Sequence, residues 1–309
     1  MRIAVFGAGG VGGYFGGKLA KSGVDVSFLA RGPHLTAMRD NGLLVRSVHG
    51  DFALESVQAT EDPDEIGPVD YVLIAVKSDQ TETAAMAAKP LLHDETVVLS
   101  LQNGVDNESK LAAIVGPERV VGGAAYIFAT IEQPGVIAHT GGPAALKVGE
   151  LAGGRSERVE RFVEAGVSAG FAIDQTEDIK ATLWSKFAFI CAQAGTTAAV
   201  RLPIGEVRTS PAARELFRRV VDEVCAVARA EGVDLPNDLS DKHVAFADGL
   251  GSGDYSSLHH DLIHGKPMEL EALLGEVVRR GEQTRVSTPM SEALYAVLQP
   301  WDLRNRAAL

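Results

Sequence analysis

Hydrophobic positions alternate between short strand-like runs and helical stripes up to about residue 176, and beyond it the pattern is helical almost to the end. The first apolar run, Ile3 to Phe6, stops abruptly at Gly7. Residues 11–22 carry a helical stripe ended by Gly23, and residues 24–30 read as a second strand. A short helix over 34–41 closes at Gly42, and residues 43–57 alternate as a β-hairpin or edge pair would. The strand over 69–76 has a continuous apolar centre, which predicts burial on both faces as in a parallel sheet. A helix over 81–92 and a strand over 96–101 follow. Residues 120–131 and 135–149 read as β-rich with a turn at Gly141-Gly142-Pro143, then come an amphipathic helix over 156–169 and a last strand over 171–176. The helical remainder divides into about 178–198, 211–231, 240–249, 267–281 and 288–298, several pieces opened by Pro, Ser or Asp. No internal repeat or low-complexity segment interrupts this order.

The join between the first strand and helix is Gly7-Ala8-Gly9-Gly10-Val11-Gly12, a G-x-G-x-x-G turn inside a strand-helix-strand unit. Gly7 allows a sharp exit from the strand, Gly9 presents no side chain to a pyrophosphate, and Gly12 lets the helix pack close to the sheet. The free N–H groups at the helix start suit phosphate oxygens. The competing reading is a tight glycine turn with no ligand. NAD-binding versions of this unit place an acid at the end of the second strand; here Arg31 stands there with His34 close behind, and Asp25 lies at the strand's beginning. A guanidinium at that place suits a 2′-phosphate and points to NADP(H), unless Arg31 is an ordinary solvated side chain. The predicted fold class is therefore α/β, a Rossmann-type dinucleotide-binding domain over 1–176 followed by an all-α substrate and catalytic domain over 177–309. A cleft between the two is the expected place for a small substrate.

Strands of such sheets deliver ligand contacts at their carboxyl ends, which puts Lys77, Gln80 and Asn103 on the same rim as the glycine turn. The net charge of −12 over 309 residues excludes a broad nucleic-acid footprint. Anionic ligands must then be held by local positive groups. Two cysteines, Cys191 and Cys225, form neither a disulfide framework nor a metal-ligand spacing, so a reducing cytoplasm is the expected compartment. No apolar run reaches membrane-spanning length, and the glycine-dense start argues against a signal peptide.

Between Ala181 and Val200 the only charged residue is Lys186, within Leu183-Trp184-Ser185-Lys186-Phe187-Ala188-Phe189-Ile190-Cys191. That helix is apolar on nearly every face and should be buried. An ammonium there is costly unless it has a partner or a task, the alternative being a stem that snorkels to water.

The glycine turn, Val76-Lys77-x-x-Gln80, Leu101-Gln102-Asn103-Gly104-Val105, Trp184-x-Lys186, Pro203-x-Gly205-Glu206, Ser256-Ser257 and Glu269 occur in order, and together they resemble the ketopantoate reductase (2-dehydropantoate 2-reductase) family over essentially the whole chain. The resemblance implies NADPH-dependent reduction of a 2-oxo acid to a 2-hydroxy acid, a step toward pantothenate. By the same resemblance, the residues from Gly7 to Gly12 hold the pyrophosphate and Arg31 the 2′-phosphate. Lys77, Gln80 and Asn103 line the cofactor side, with Asn103 also reaching substrate. Lys186 is then the general acid, Glu269 its orienting partner, and Ser257 a substrate ligand. Proton donation to the oxygen left by hydride transfer is chemistry an ammonium can perform. Without the resemblance, Glu269 reads equally well as a first-turn carboxylate after Pro267, and Ser257 as a cap or loop serine.

The chain departs from the family where asparagines stand four and eight residues after the lysine. Here those places hold Ile190 and Ala194, which shifts the expectation toward a more apolar 2-oxo acid. His259, His260, Asp261 and His264 include an i, i+4 histidine pair but no second ligand motif, so a solvated face or cleft mouth is expected and no metal. The expected partner is thus a small 2-oxo acid, with no nucleic acid and no membrane, and a homodimer is the assembly to look for. The rival from another class is a non-catalytic NADPH sensor, for which Lys186, Ser257 and Glu269 would have no use.

Overall fold

A computed structural model of the chain describes residues 1–308 and divides them by contacts into two compact units, Met1–Lys180 and the residues from Ala181 onward. In the first unit the order is β1 (Arg2–Phe6), α1 (Gly10–Lys21), β2 (Asp25–Leu29), α2 (Gly32–Asn41), β3 (Leu43–Ser47), β4 (Phe52–Leu54) and β5 (Gln58–Thr60). It continues through β6 (Tyr71–Ile74), α3 (Thr81–Ala87), β7 (Val97–Ser100), α4 (Asn107–Val115), β8 (Val120–Gln133), β9 (Val136–Glu150), α5 (Glu157–Ser168) and β10 (Ala172–Gln175). The strands form one sheet in the order β4-β3-β9-β8-β7-β6-β1-β2-β5, with β10 also paired to β9. From β8 to β5 the pairings are parallel, and successive residues of β1 feed opposite faces. Ile3 and Val5 enter one core cluster while Ala4 and Phe6 enter the other, which is the two-sided burial that a continuous apolar run demands.

Two local expectations are revised, and one helix is added. The stretch Gly141-Gly142-Pro143 does not reverse the chain. β9 runs straight through it as a bulge, because Phe128 pairs with Gly141 and Tyr126 with Ala145, leaving three residues of β9 opposite one of β8. Gly142 and Ala144 absorb the extra length at φ 81° and 50°. β9 is held along its length by parallel partners, β3 at Val136 to His139 and β10 at Ala145 to Val148, so a turn there would break two ladders. The helix after β6 ends at Ala87 and passes into a 3-10 turn over Lys89–Leu91, where Pro90 disfavours continued α-helix. A helix that the hydrophobic pattern did not announce, α4, fills 107–115.

The second unit is helical: α6 (Ile179–Val200), α7 (Ile204–Thr209), α8 (Pro211–Ala230), α9 (Leu239–Gly249), α10 (Ser257–Ile263), α11 (Glu276–Thr284) and α12 (Pro289–Ala307). The first residues of α6 belong with the sheet, since Ile179 lies where Cβ atoms on Gly122 and Gly149 would be, 2.7 and 3.1 Å away. α8 buries Phe217, Val220, Val221 and Val224 along one stripe. From the same helix the buried Glu223 accepts hydrogen bonds from Met290 N, Ser291 N and Ser291 Oγ, capping the start of α12. The continuous helix expected over 267–281 instead begins with a π turn over Glu271–Gly275. Among the described residues no helix is long and apolar enough to cross a membrane.

Candidate active site

In the first unit, Gly7 leaves β1 at φ 91°, and a Cβ there would lie 2.8 Å from the Ala75 carbonyl oxygen of the neighbouring strand end. A Cβ on Gly12 would lie 2.2 Å from the Gly7 oxygen, and one on Gly10 would lie 2.0 Å from the Ala129 oxygen. The start of α1 is thus pressed between its own turn and β8. Gly9 differs: a Cβ there would meet no protein atom within 4 Å. Gly9 is the N-cap and makes no side-chain cap; the first intrahelical bond is Gly13 N to Gly9 O at 2.7 Å, and the N–H groups ahead of Gly13 have no intrahelical acceptor. Bare backbone at Gly9 with these donors beside it fits the pyrophosphate of a dinucleotide. Ala8 and Val11 complete the turn, Ala8 buried and Val11 half-buried.

Arg31 is exposed and caps α2 one residue beyond Ala30, immediately after β2. His34, one turn into α2, is half-buried. Its Nε2 lies 2.9 Å from the Ala8 oxygen, and its Nδ1 accepts from Gly135 N at 3.1 Å. Burial pushes its imidazole below the usual histidine range.

Lys77 is exposed at the end of β6, and Gln80 is exposed as the N-cap of α3. Asn103, half-buried after β7, is fixed through its backbone, whose carbonyl accepts from Ser78 Oγ at 3.0 Å and from Asn107 Nδ2 at 2.8 Å. Thr81 Oγ1 donates to the Ser78 oxygen or to Asn107 Oδ1, each 2.9 Å away, and accepts from Gln102 Nε2 at 2.8 Å. This buried network ties the ends of β6 and β7 together, so the structure brings the Lys77 and Asn103 backbones onto one rim. Ser78, Thr81 and Asn107 escaped the sequence reading, because a polar residue in a loop gives no periodic sign of burial.

In the second unit, Lys186 lies half-buried on α6, with Trp184 and Phe187 buried beside it in edge-to-face contact at 5.6 Å. Thr197 and Gln193, on the same helical stripe as Lys186, are also buried. Thr197 Oγ1 lies 3.2 Å from Ser256 Oγ, and Ser256 caps α10 by accepting from His259 N at 3.1 Å. Ser257 is therefore the exposed first residue of α10, with its neighbour Ser256 taking the cap.

Glu269 is half-buried in the segment before the π turn, and its carbonyl accepts from Leu273 N at 3.2 Å. The backbone leading to it is clamped by α12: Met268 N donates to Asp302 Oδ1 at 2.7 Å, Arg306 donates to the Met268 oxygen at 2.9 Å, and Asn305 donates to the Lys266 oxygen at 2.9 Å. The only hint of this clamp in the sequence is the i, i+4 spacing of Asp302 and Arg306, which pair at 2.8 Å. His260 and His264 lie with ring centres 4.1 Å apart and planes tilted by 36°, and His264 Nδ1 lies 2.8 Å from the His260 oxygen. Among the described residues no group of three or more His, Cys, Asp or Glu is placed to hold a metal ion.

A mixed sheet whose parallel half carries a glycine turn after β1, followed by a helical unit with Lys186 half-buried in an apolar helix, has the architecture of a nucleotide-dependent oxidoreductase. Comparison with known proteins narrows the class. The family model described as ketopantoate reductase PanE/ApbA matches residues 3–153, and its C-terminal counterpart matches 178–301. The chain belongs to the ketopantoate reductase family, and with it to the NADP(H)-dependent oxidoreductases that act on CH–OH groups. It is 33% identical to a 2-dehydropantoate 2-reductase of Mesorhizobium japonicum, covering 97% of both chains. It is 32% identical to the uncharacterized oxidoreductase YkpB of Bacillus subtilis, covering 98% of this chain and 99% of that one. Among solved structures, the 2-dehydropantoate 2-reductase of Geobacter metallireducens superposes with a TM-score of 0.91 at 32% identity, covering 97% of this chain and 99% of that chain.

Proposed function

We propose that the protein reduces a 2-oxo acid to the 2-hydroxy acid with NADPH, and that 2-dehydropantoate, giving pantoate for pantothenate synthesis, is the first substrate to test. The observation that carries the reading is Lys186, the one charged residue from Ala181 to Val200, half-buried among aromatic side chains where an idle ammonium would be costly. NADPH, when bound, supplies the hydride. Lys186 would stabilise the charge developing on the substrate oxygen and then give that oxygen its proton. Glu269, held by the clamped backbone at Met268, would aim the ammonium, and Ser257 would hydrogen-bond the polar groups of the substrate. Gly7, Ala8, Gly9, Gly10, Val11 and Gly12 would hold the pyrophosphate, and Arg31 the 2′-phosphate. Lys77, Gln80 and Asn103 would line the cofactor side, with Asn103 also reaching toward substrate.

A second reading, a paralogous reductase of a more apolar 2-oxo acid, is supported by Ile190 and the fully buried Ala194, which stand where relatives acting on ketopantoate are expected to carry asparagines. A cytoplasmic setting suits the two free cysteines, both buried, with the Cys225 thiol pushed by burial to about 11.

The test is NADPH oxidation, followed by absorbance, against a panel of 2-oxo acids that includes ketopantoate and ketoisovalerate. Turnover of ketopantoate well above the rest supports the first reading, and preference for an alkyl 2-oxo acid supports the second. Tight NADPH binding with no turnover of any member would favour a sensor.

A further inference from the structure

We propose that His34 is a positioning residue of the cofactor site, aiming the Gly9 N–H by holding the carbonyl of Ala8. The inference rests on the NADP(H) reading above and adds a residue to it. The imidazole spans two backbone groups far apart in sequence, the Ala8 oxygen at 2.9 Å from Nε2 and Gly135 N at 3.1 Å from Nδ1. Gly135 N–H can only donate, so Nδ1 must be the unprotonated nitrogen. A neutral imidazole then carries its proton on Nε2, which donates to Ala8. The tautomer follows from the partners.

One end of this strut is firmly anchored. The Gly135 carbonyl accepts from Leu44 N at 3.0 Å, which ties the β8–β9 turn to β3, and Ala37 of α2 packs where a Cβ on Gly135 would be, 3.1 Å away. The other end is the glycine turn, where the N-cap makes no side-chain cap to α1 and a Cβ on Gly9 would meet nothing within 4 Å. The Ala8 carbonyl and the Gly9 N–H belong to one planar trans peptide, so they point in opposite directions. Fixing the carbonyl toward His34 therefore turns the Gly9 N–H away from α2, as a donor for a pyrophosphate oxygen at a glycine whose own Cβ position is open. Gly32, at φ 56°, and Pro33 in the first turn of α2 bend the chain so that the residue after Pro33 faces back to the glycine turn. Arg31 caps the same helix, so His34 also braces the element that presents the proposed 2′-phosphate ligand.

Two amides separate this role from simple packing. In His34→Gln the side-chain Nε2 reaches about as far as the imidazole Nε2 and keeps the donor for Ala8, while the acceptor for Gly135 is lost. In His34→Asn the side-chain oxygen replaces Nδ1 and keeps the acceptor, while the donor for Ala8 is lost. NADPH dissociation constants from nicotinamide fluorescence and thermal melting are measured on the native protein and both variants. The expected result is binding about five- to tenfold weaker in His34→Asn and within about twofold of native in His34→Gln, the size of one neutral hydrogen bond. Both variants should lose a similar amount of melting temperature, each having lost one bond. Native affinity in His34→Asn, or equal weakening in the two variants, overturns the inference while leaving the cofactor reading intact. A native protein that does not bind NADPH overturns both.

Discussion

Helices α1 and α6 are both buried, and they reach burial by opposite means. α1 does it by omission: its buried residues include Gly12, Gly13, Gly16 and Gly17, and at each of these a Cβ would crowd Gly7, Ile137, Phe28 or Phe52. Its backbone comes close to the sheet, and this leaves its first N–H groups beside open backbone at Gly9. α6 does it by mass, with Leu183, Trp184, Phe187, Phe189 and Cys191 buried around its circumference and a single charge, Lys186, between Ala181 and Val200. In the first helix, what matters is where side chains are missing. In the second, it is the single side chain that does not belong. A glycine turn can cradle a pyrophosphate but offers no side-chain proton, whereas the Lys186 ammonium carries a proton that it can donate.

If that division is right, the largest effect comes from the odd side chain. Lys186→Ala should lower kcat by about 10²- to 10⁴-fold, the range of general acid catalysis, with NADPH affinity nearly unchanged. Lys186→Arg should rescue poorly, because a guanidinium holds its proton too tightly. A stable, NADPH-binding Lys186→Ala protein with native kcat would make the lysine a snorkelling residue and leave Lys77 as the next acid to test.

The omissions are tested by filling them one at a time. Gly12→Ala places a methyl 2.2 Å from backbone oxygen and should destabilise the protein by about 3 kcal/mol, seen in thermal or urea unfolding. Gly9→Ala meets nothing within 4 Å and should melt like the native protein, yet bind NADPH about tenfold or more weakly, since the methyl occupies the pyrophosphate approach. If both variants lost stability alike, Gly9 would be a structural glycine and the contrast would collapse.

Arg31 asks whether the first unit also selects between nicotinamides. Charge-assisted hydrogen bonds contribute roughly 1.5–3 kcal/mol, so Arg31→Ala should weaken NADPH binding about 10- to 150-fold and leave NADH nearly untouched. Equal affinity of the native protein for both cofactors would remove Arg31 from the site.

The smallest expected change concerns substrate choice on α6. Ile190→Asn with Ala194→Asn should raise turnover of ketopantoate relative to ketoisovalerate by about tenfold. Ala194 is fully buried, so the new amide costs about 1–3 kcal/mol if it finds no partner, and melting must be measured beside the rates. A native protein that already favours ketopantoate by orders of magnitude would make Ile190 and Ala194 neutral replacements.

The sequence by itself determined the elements whose physics is local. Gly7 to Gly12 announce a strand-turn-helix because only glycine tolerates the positive φ and the close approach, and residues 69–76 announce a two-sided strand by composition alone. Lys186 stood out because it is the one charge in the apolar stretch from Ala181 to Val200. Everything that depends on a distant partner was decided by the tertiary structure. The Gly-Gly-Pro stretch became a bulge because β3 and β10 hold both ends of β9. The backbone before Glu269 is set by Asp302 and Arg306, more than thirty positions later, and His34 acquires its meaning from Gly135, 101 positions away. Periodicity and turn chemistry act over a few residues, whereas pairing across such separations is chosen by which faces the whole chain can bury together.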